Sequence, residues 1–184
     1  MALRSTAAVW GPVVRAFHWG MLLVLLTTIP IGYYMADLPL GPAKLKIYAL
    51  HKSIGITLLV LAALRLLWRL GERRPAPSPM AGWQRAASVA THVLLYVLLF
   101  VIPLSGWLYN SAAGFPLQWF RLFNLPALTA ANPALKVVAR QVHGTGVAVL
   151  IALVVAHALA ALKHHFVDRD TTLRSMLPLL GSRP

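Results

Sequence analysis

Residues 138–166 read VARQVHGTGVAVLIALVVAHALAALKHHF, an apolar run of membrane-crossing length with His143 and His157 inside it. The run is read as the body of one continuous helix over residues 133–166. Fourteen residues separate the two histidines. At 3.6 residues per turn that is close to four turns, so both imidazoles leave nearly the same face, and at 1.5 Å per residue they stand roughly 21 Å apart along the axis. Such a helix offers one metal ligand near each surface of a bilayer. Partners must come from the other apolar segments.

Composition sets the frame for that search. The 184-residue chain is 59% hydrophobic and 11% charged, with a mean hydropathy of +0.70, which places it outside the range of soluble domains. Its length suits a single domain, residues 1–184, of four spans with short connections. The net charge of +13 lies at the ends of apolar segments, where Lys and Arg face lipid headgroups, so nucleic acid is not expected as a partner. With no cysteine, the chain offers no thiolate metal site, iron–sulfur cluster or covalent haem attachment.

The first span is expected at 13–35, the second at 45–70, the third at 85–109 and the fourth at 133–166. The first apolar run lacks a small-residue cleavage pattern and reads as a retained span rather than a signal peptide. Pro39, Gly41 and Pro42 mark a turn after it, and Pro75, Pro77 and Pro79 with Arg73 and Arg74 make the second connection a basic loop. The third connection carries Phe115, Trp119, Phe120 and Phe123 and predicts a short surface helix in the headgroup layer. Another short helix is predicted to start at Thr171.

Eleven of the 17 Lys and Arg residues fall on the side of the termini and second loop: Arg4, Arg15, Arg65, Arg69, Arg73, Arg74, Arg85, Lys163, Arg169, Arg174 and Arg183. The opposite side holds Lys44, Lys46, Lys52, Arg121, Lys136 and Arg140. The richer side is expected to be cytoplasmic, with both termini inside. On that topology His18, His92 and His157 lie toward the inside, His51 and His143 toward the outside, and His164 and His165 at the inner interface.

Histidines inside a membrane are costly and mark function by default. One of them is as well explained by an interhelical hydrogen bond; five sorted into two layers are not. Zinc hydrolysis chemistry is disfavoured, because Asp37, Glu72, Asp168 and Asp170 all lie outside the spans. Haem iron needs two axial imidazoles from facing helices, and a four-helix bundle can enclose the macrocycle. Two layers therefore imply two b-type haems. His51 with His143 is the outer pair, while spacing leaves His157 open to either His18 or His92. Gly55, Gly144 and Gly146 would allow a macrocycle near the backbone, or simply close helix packing. Arg15, Arg65, Arg69, Lys52 and Arg140 are available to haem propionates.

These residues carry a resemblance. Arg15-Ala-Phe-His18-Trp19, His51-Lys-Ser-Ile-Gly55, His92-Val-Leu-Leu-Tyr96, Pro103-Leu-Ser-Gly-Trp107 and His143-Gly-Thr-Gly146 followed by His157 resemble the bacterial cytochrome b561 family over almost the whole chain. The ending His164-His165-Phe, Asp168, Thr171-Thr-Leu and Met176-Leu-Pro178 is similar too. The resemblance implies an all-α membrane protein of the bacterial inner membrane. It implies His18 and His157 on the inner haem, His51 and His143 on the outer one, and His92 as a non-ligand. Within the family the likeness is to the superoxide oxidase type, which implies electron transfer from superoxide to ubiquinone. Candidate quinone-site residues are Lys163, His164, His165 and His92; no residue is assigned a catalytic role. The outward-facing cations could steer an anion such as superoxide. Competing readings are an electron-transfer subunit that anchors a hydrogenase or dehydrogenase as its redox partner protein, and a haemless four-span transporter or sensor.

Overall fold

The computed structural model describes residues 3–6, 9–73, 75 and 80–177. Arg74, Pro77, Pro79, Pro178 and Arg183 lie outside the described residues. Four long helices form an all-α membrane bundle: α1 (Pro12–Asp37), α2 (Pro42–Leu70), α3 (Gly82–Ala112) and α4 (Pro133–Phe166). Each expected span lies within one of them. The shortest, α1, has 26 residues, about 39 Å at the helical rise, enough to cross a hydrocarbon layer of about 30 Å.

The boundaries follow from local chemistry. Pro12, Pro42 and Pro133 occupy the first helical turns, where proline's missing N–H costs nothing and its fixed φ favours helix. At the start of α4 the Asn132 side chain also accepts the Leu135 N–H at 3.0 Å. At the start of α3 the Gln84 side chain reaches back to the Ala81 N–H at 3.2 Å. Lys44 donates to the Leu38 carbonyl at 2.6 Å and to the Ala36 carbonyl at 3.1 Å, satisfying the otherwise bare end of α1.

Leu23 is 66% exposed and Val155 52% exposed, as expected of side chains that face lipid. The buried core is a narrow layer of Met21 and Leu25 from α1, Leu58 and Ala62 from α2, Leu99 and Ile102 from α3, and Leu150 from α4. Leu150 lies midway in sequence between His143 and His157, so this apolar plug separates the two histidine levels. Close helix packing runs from α1 to α2, α2 to α3 and α3 to α4; the pairs α1–α4 and α2–α4 are not among the close ones.

The third connection departs from the expected surface helix. It forms an antiparallel hairpin, β1 (Leu117–Trp119) with β2 (Phe123–Leu125), with Trp119 opposite Phe123. Phe120 and Arg121 turn it with φ of 45° and 62°, a left-handed conformation that no helix accommodates. Side chains of α2 hold it in place. Lys52 donates to Asn110 Oδ1 at 3.0 Å and to the Pro116 carbonyl at 3.1 Å, and Ser53 Oγ accepts the Phe120 N–H at 2.9 Å. The Trp119 indole donates to Thr57 Oγ1 at 3.0 Å. Tertiary hydrogen bonds thus decide a segment whose aromatic spacing alone suggested a helix.

The short helix expected near Thr171 is present as α5 (Thr172–Met176), folded back toward α1. Trp19 Nε1 donates to the Met176 carbonyl at 2.8 Å and Arg15 to the Leu177 carbonyl at 3.0 Å.

Candidate functional site

The bundle brings its histidines into two groups, one at each end of the apolar plug. At the end remote from the chain termini, His51 of α2 and His143 of α4 face each other with ring centres 6.2 Å apart. Two imidazoles bonded to opposite sides of one metal ion, through nitrogen bonds of about 2 Å each, would have ring centres roughly 6 Å apart. His51 Nδ1 donates to the Thr28 carbonyl of α1 at 3.1 Å, and His143 Nδ1 donates to the Ile102 carbonyl of α3 at 2.8 Å. Each bond engages Nδ1 and leaves Nε2 as the ligating nitrogen, the outer-shell arrangement that orients metal-bound histidine.

At the end carrying the termini, three imidazoles gather. His157 of α4 stands 6.2 Å from His18 of α1 and 5.2 Å from His92 of α3, ring centre to ring centre. The first spacing matches that of an axial pair and the second is too short for one. His92 Nδ1 is occupied by the Ser88 carbonyl of its own helix at 2.6 Å. Nδ1 of His18 lies 3.4 Å from the Arg65 guanidinium.

Arg65 places a cation beside this group of imidazoles. Its guanidinium also lies over the Tyr96 ring at 5.5 Å, and Arg69 lies over Tyr96 at 5.4 Å and Trp10 at 5.8 Å. Among the described residues, ion pairs involve Lys163, His164, Asp168 and Asp170, so neither arginine has a carboxylate partner. Tyr96 Oη and Trp68 Nε1 are buried in the same cavity, lined also by Val14 and Phe17, without an aligned hydrogen-bond partner. Cations clustered beside an imidazole pair suit the carboxylates of a bound cofactor.

The glycines divide as the two sequence readings allowed. A Cβ on Gly55 or Gly144 would meet nothing within 4 Å, which leaves space beside His51 and His143. A Cβ on Gly146 would lie 3.0 Å from Ile102 Cγ1, so that glycine serves helix packing. Together with the wider approach of α4 to α1 and α2, the bis-histidine spacing and the engaged Nδ1 atoms, the site fits b-type haem.

The remaining candidates separate by partner. Lys163 Nζ bonds both Asp168 carboxylate oxygens, at 2.8 and 3.0 Å, and this hydrogen bond holds the Asp168 carboxyl below its usual range. His164 Nδ1 lies 2.9 Å from Asp168 Oδ2 and 3.0 Å from Asp170 Oδ2, ion-pair distances without hydrogen-bond alignment. These residues brace the chain as it leaves α4. His165 Nδ1 is buried without an aligned partner among the described residues, its ring against Phe166.

A profile of prokaryotic cytochrome b561 matches residues 9–179. The chain belongs to the prokaryotic cytochrome b561 family. It is 36% identical over 179 residues to cytochrome b561 homolog 2 of Escherichia coli (strain K12), covering 96% of this chain and 95% of that one. Cytochrome b561 homolog 1 of the same organism is 31% identical over 165 residues, covering 88% and 92%. The probable superoxide oxidase CybB of Yersinia pestis is 32% identical over 133 residues, covering 70% and 73%. The family binds b-type haem and works in membrane electron transport, so this chain is a bacterial membrane redox protein.

Proposed function

We propose that this cytochrome b561 family member is a single dihaem unit of the bacterial inner membrane that oxidises superoxide at its outer face and reduces ubiquinone, with both termini cytoplasmic. His51 and His143 would hold the iron of the outer haem, and His18 and His157 that of the inner. The observation that carries the two-haem part of this reading is the equal 6.2 Å spacing of two imidazole pairs on opposite sides of the apolar plug. His92, at 5.2 Å from His157, is assigned no iron.

Bound haem supplies reversible one-electron chemistry. The protein's own residues do the rest. Thr28 and Ile102 fix the outer imidazoles through their carbonyls, and Arg65 offers positive charge to inner-haem propionates. Lys44 and Lys52 are committed to α1 and the hairpin, which leaves Lys46, Arg121, Lys136 and Arg140 to attract superoxide. Of the quinone-site candidates, His165 and His92 remain, because Lys163 and His164 brace Asp168 and Asp170. Two superoxide anions yield two dioxygen molecules, and the quinone takes up the two electrons with two protons to become quinol. The likeness to a probable superoxide oxidase supports the choice of donor.

Stopped-flow mixing of the purified protein with superoxide, with and without a short-chain ubiquinone, tests the proposal. Reduction of the haem bands followed by quinone-dependent reoxidation is expected. Haem bands that stay oxidised with superoxide but are reduced by a copurifying protein would make the chain an anchoring electron-transfer subunit instead.

A further inference from the structure

The two outer imidazoles sit in matching cradles, each built by a helix that carries no outer ligand. On α1, the Thr28 carbonyl accepts His51 Nδ1–H at 3.1 Å, and a Cβ added at Gly32 would lie 3.0 Å from His51 Cε1. On α3, the Ile102 carbonyl accepts His143 Nδ1–H at 2.8 Å, and a Cβ added at Gly106 would lie 3.1 Å from both Cε1 and Nδ1 of His143. In each case carbonyl and glycine are four residues apart, one above the other on the same helix face.

Other details repeat. A proline lies inside each turn, Pro30 two residues after Thr28 and Pro103 next to Ile102, and removes one rung of the helical ladder. A hydroxyl joins each cradle as well. Thr28 Oγ1 is 3.3 Å from His51 Nδ1, and Ser105 Oγ donates to the Ile102 carbonyl at 2.8 Å. The inner group is built otherwise: Nδ1 of His18 faces Arg65, and His92 bonds its own helix.

From this pairing we infer that Gly32 and Gly106 are positioning residues that set the orientation of the outer imidazoles, and through it the properties of the outer haem. The inference rests on His51 and His143 being that haem's ligands. A methyl group at either glycine meets the ring closer than ordinary van der Waals contact, and the ring's carbonyl anchor lies one turn away. The ring must rotate or its helix must retreat, and either movement lengthens the hydrogen bond from Nδ1–H to the carbonyl oxygen. A weaker hydrogen bond would leave the imidazole a poorer donor to ferric iron, which would raise the midpoint potential. Near-perpendicular axial rings, which stand at 79° in the outer pair, also give a strongly anisotropic low-spin ferric resonance that is sensitive to ring rotation.

The test uses the full-length, haem-loaded protein and the variants Gly32→Ala and Gly106→Ala, read by haem content, electron paramagnetic resonance and redox titration. His51→Ala and His143→Ala are run alongside. Both glycine variants should keep both haems, shift the outer-haem resonance, raise its midpoint potential and leave the inner-haem signal at its wild-type position. Unchanged outer-haem resonance and potential in both variants overturns the positioning role, as does loss of both haems in both variants, which would make the glycines general packing residues. If the histidine variants retained both haems, the ligand assignment itself would fail, an outcome distinct from either of these.

Discussion

His143 of α4 donates its Nδ1 proton to the Ile102 carbonyl of α3 across 2.8 Å, so a ligand candidate on one helix is oriented by the backbone of its neighbour. His51 is held in the same way by Thr28 at 3.1 Å. Both bonds leave Nε2 for metal. His143→Ala and His51→Ala should each lower the haem content from two per chain to one, measured by pyridine haemochrome against protein mass. His92→Ala should retain both haems, because the His92–His157 spacing of 5.2 Å is too short for an axial pair. Loss of a haem from His92→Ala would reverse the inner assignment.

Arg65, which forms no ion pair among the described residues, brings a positive charge to within 3.4 Å of His18 Nδ1. A cation beside a haem favours the ferrous state, whose net charge is lower. Arg65→Met should therefore lower the inner-haem midpoint potential, by an amount corresponding to about 1–3 kcal/mol at the effective dielectric of a protein interior. The outer potential should move little. Optical redox titration of the two haems separates these effects.

Lys52 sits next to His51 in sequence, yet its ammonium is spent on Asn110 and Pro116. Lys52→Met removes two hydrogen bonds from a charged donor, each worth roughly 1.5–3 kcal/mol. The hairpin should loosen from α2 and exchange its amide protons faster over residues 117–125, while both haems stay bound. Hydrogen-exchange mass spectrometry checks this. Unchanged exchange there would show that Ser53 and Thr57 suffice to hold it.

Asp168 braces the segment between α4 and α5, and its hydrogen bond to Lys163 holds its carboxyl below the usual range. A carboxyl with a lowered folded-state value contributes stability that is present above its unfolded value, about 3.9, and is lost as pH falls through the lowered one. Pepsin cleavage between 166 and 177 should therefore accelerate only below about pH 4. In Asp168→Asn the same segment should be cleaved readily across the whole acidic range.

Much of the architecture was legible because the membrane imposes it. Four apolar runs bounded by Pro12, Pro42 and Pro133 had to become helices, since no other open backbone is satisfied in lipid. The proposed pairing of His51 with His143 follows from depth, and the rings do face each other at 6.2 Å. The choice between His18 and His92 does not follow from depth, because both lie at the same level on different helices; the family resemblance selects His18, and the ring spacings of 6.2 and 5.2 Å support that proposal. The hairpin was misread as a helix because its fold depends on Lys52, Ser53 and Thr57, more than 60 residues away in sequence. Read in sequence, Gly32 and Gly106 have no role toward the histidines, Gly32 reading with Pro30 as a kink and Gly106 as part of the Pro103–Trp107 motif. Their significance lies in what faces them across a helix interface, and nothing in their own segments announces a neighbour's imidazole. Pro30 and Pro103, each close to one of these glycines, were the available signal.

The proposed function requires electrons to enter from superoxide and leave on quinone. Rapid mixing of the purified protein with superoxide, followed optically with a short-chain ubiquinone present, measures both ends in one experiment. Haem bands that reduce on mixing and reoxidise only when quinone is present, with two superoxide anions consumed per quinol formed, are the expected result. Haem bands that remain oxidised through the superoxide pulse, in protein that dithionite reduces normally, would contradict it.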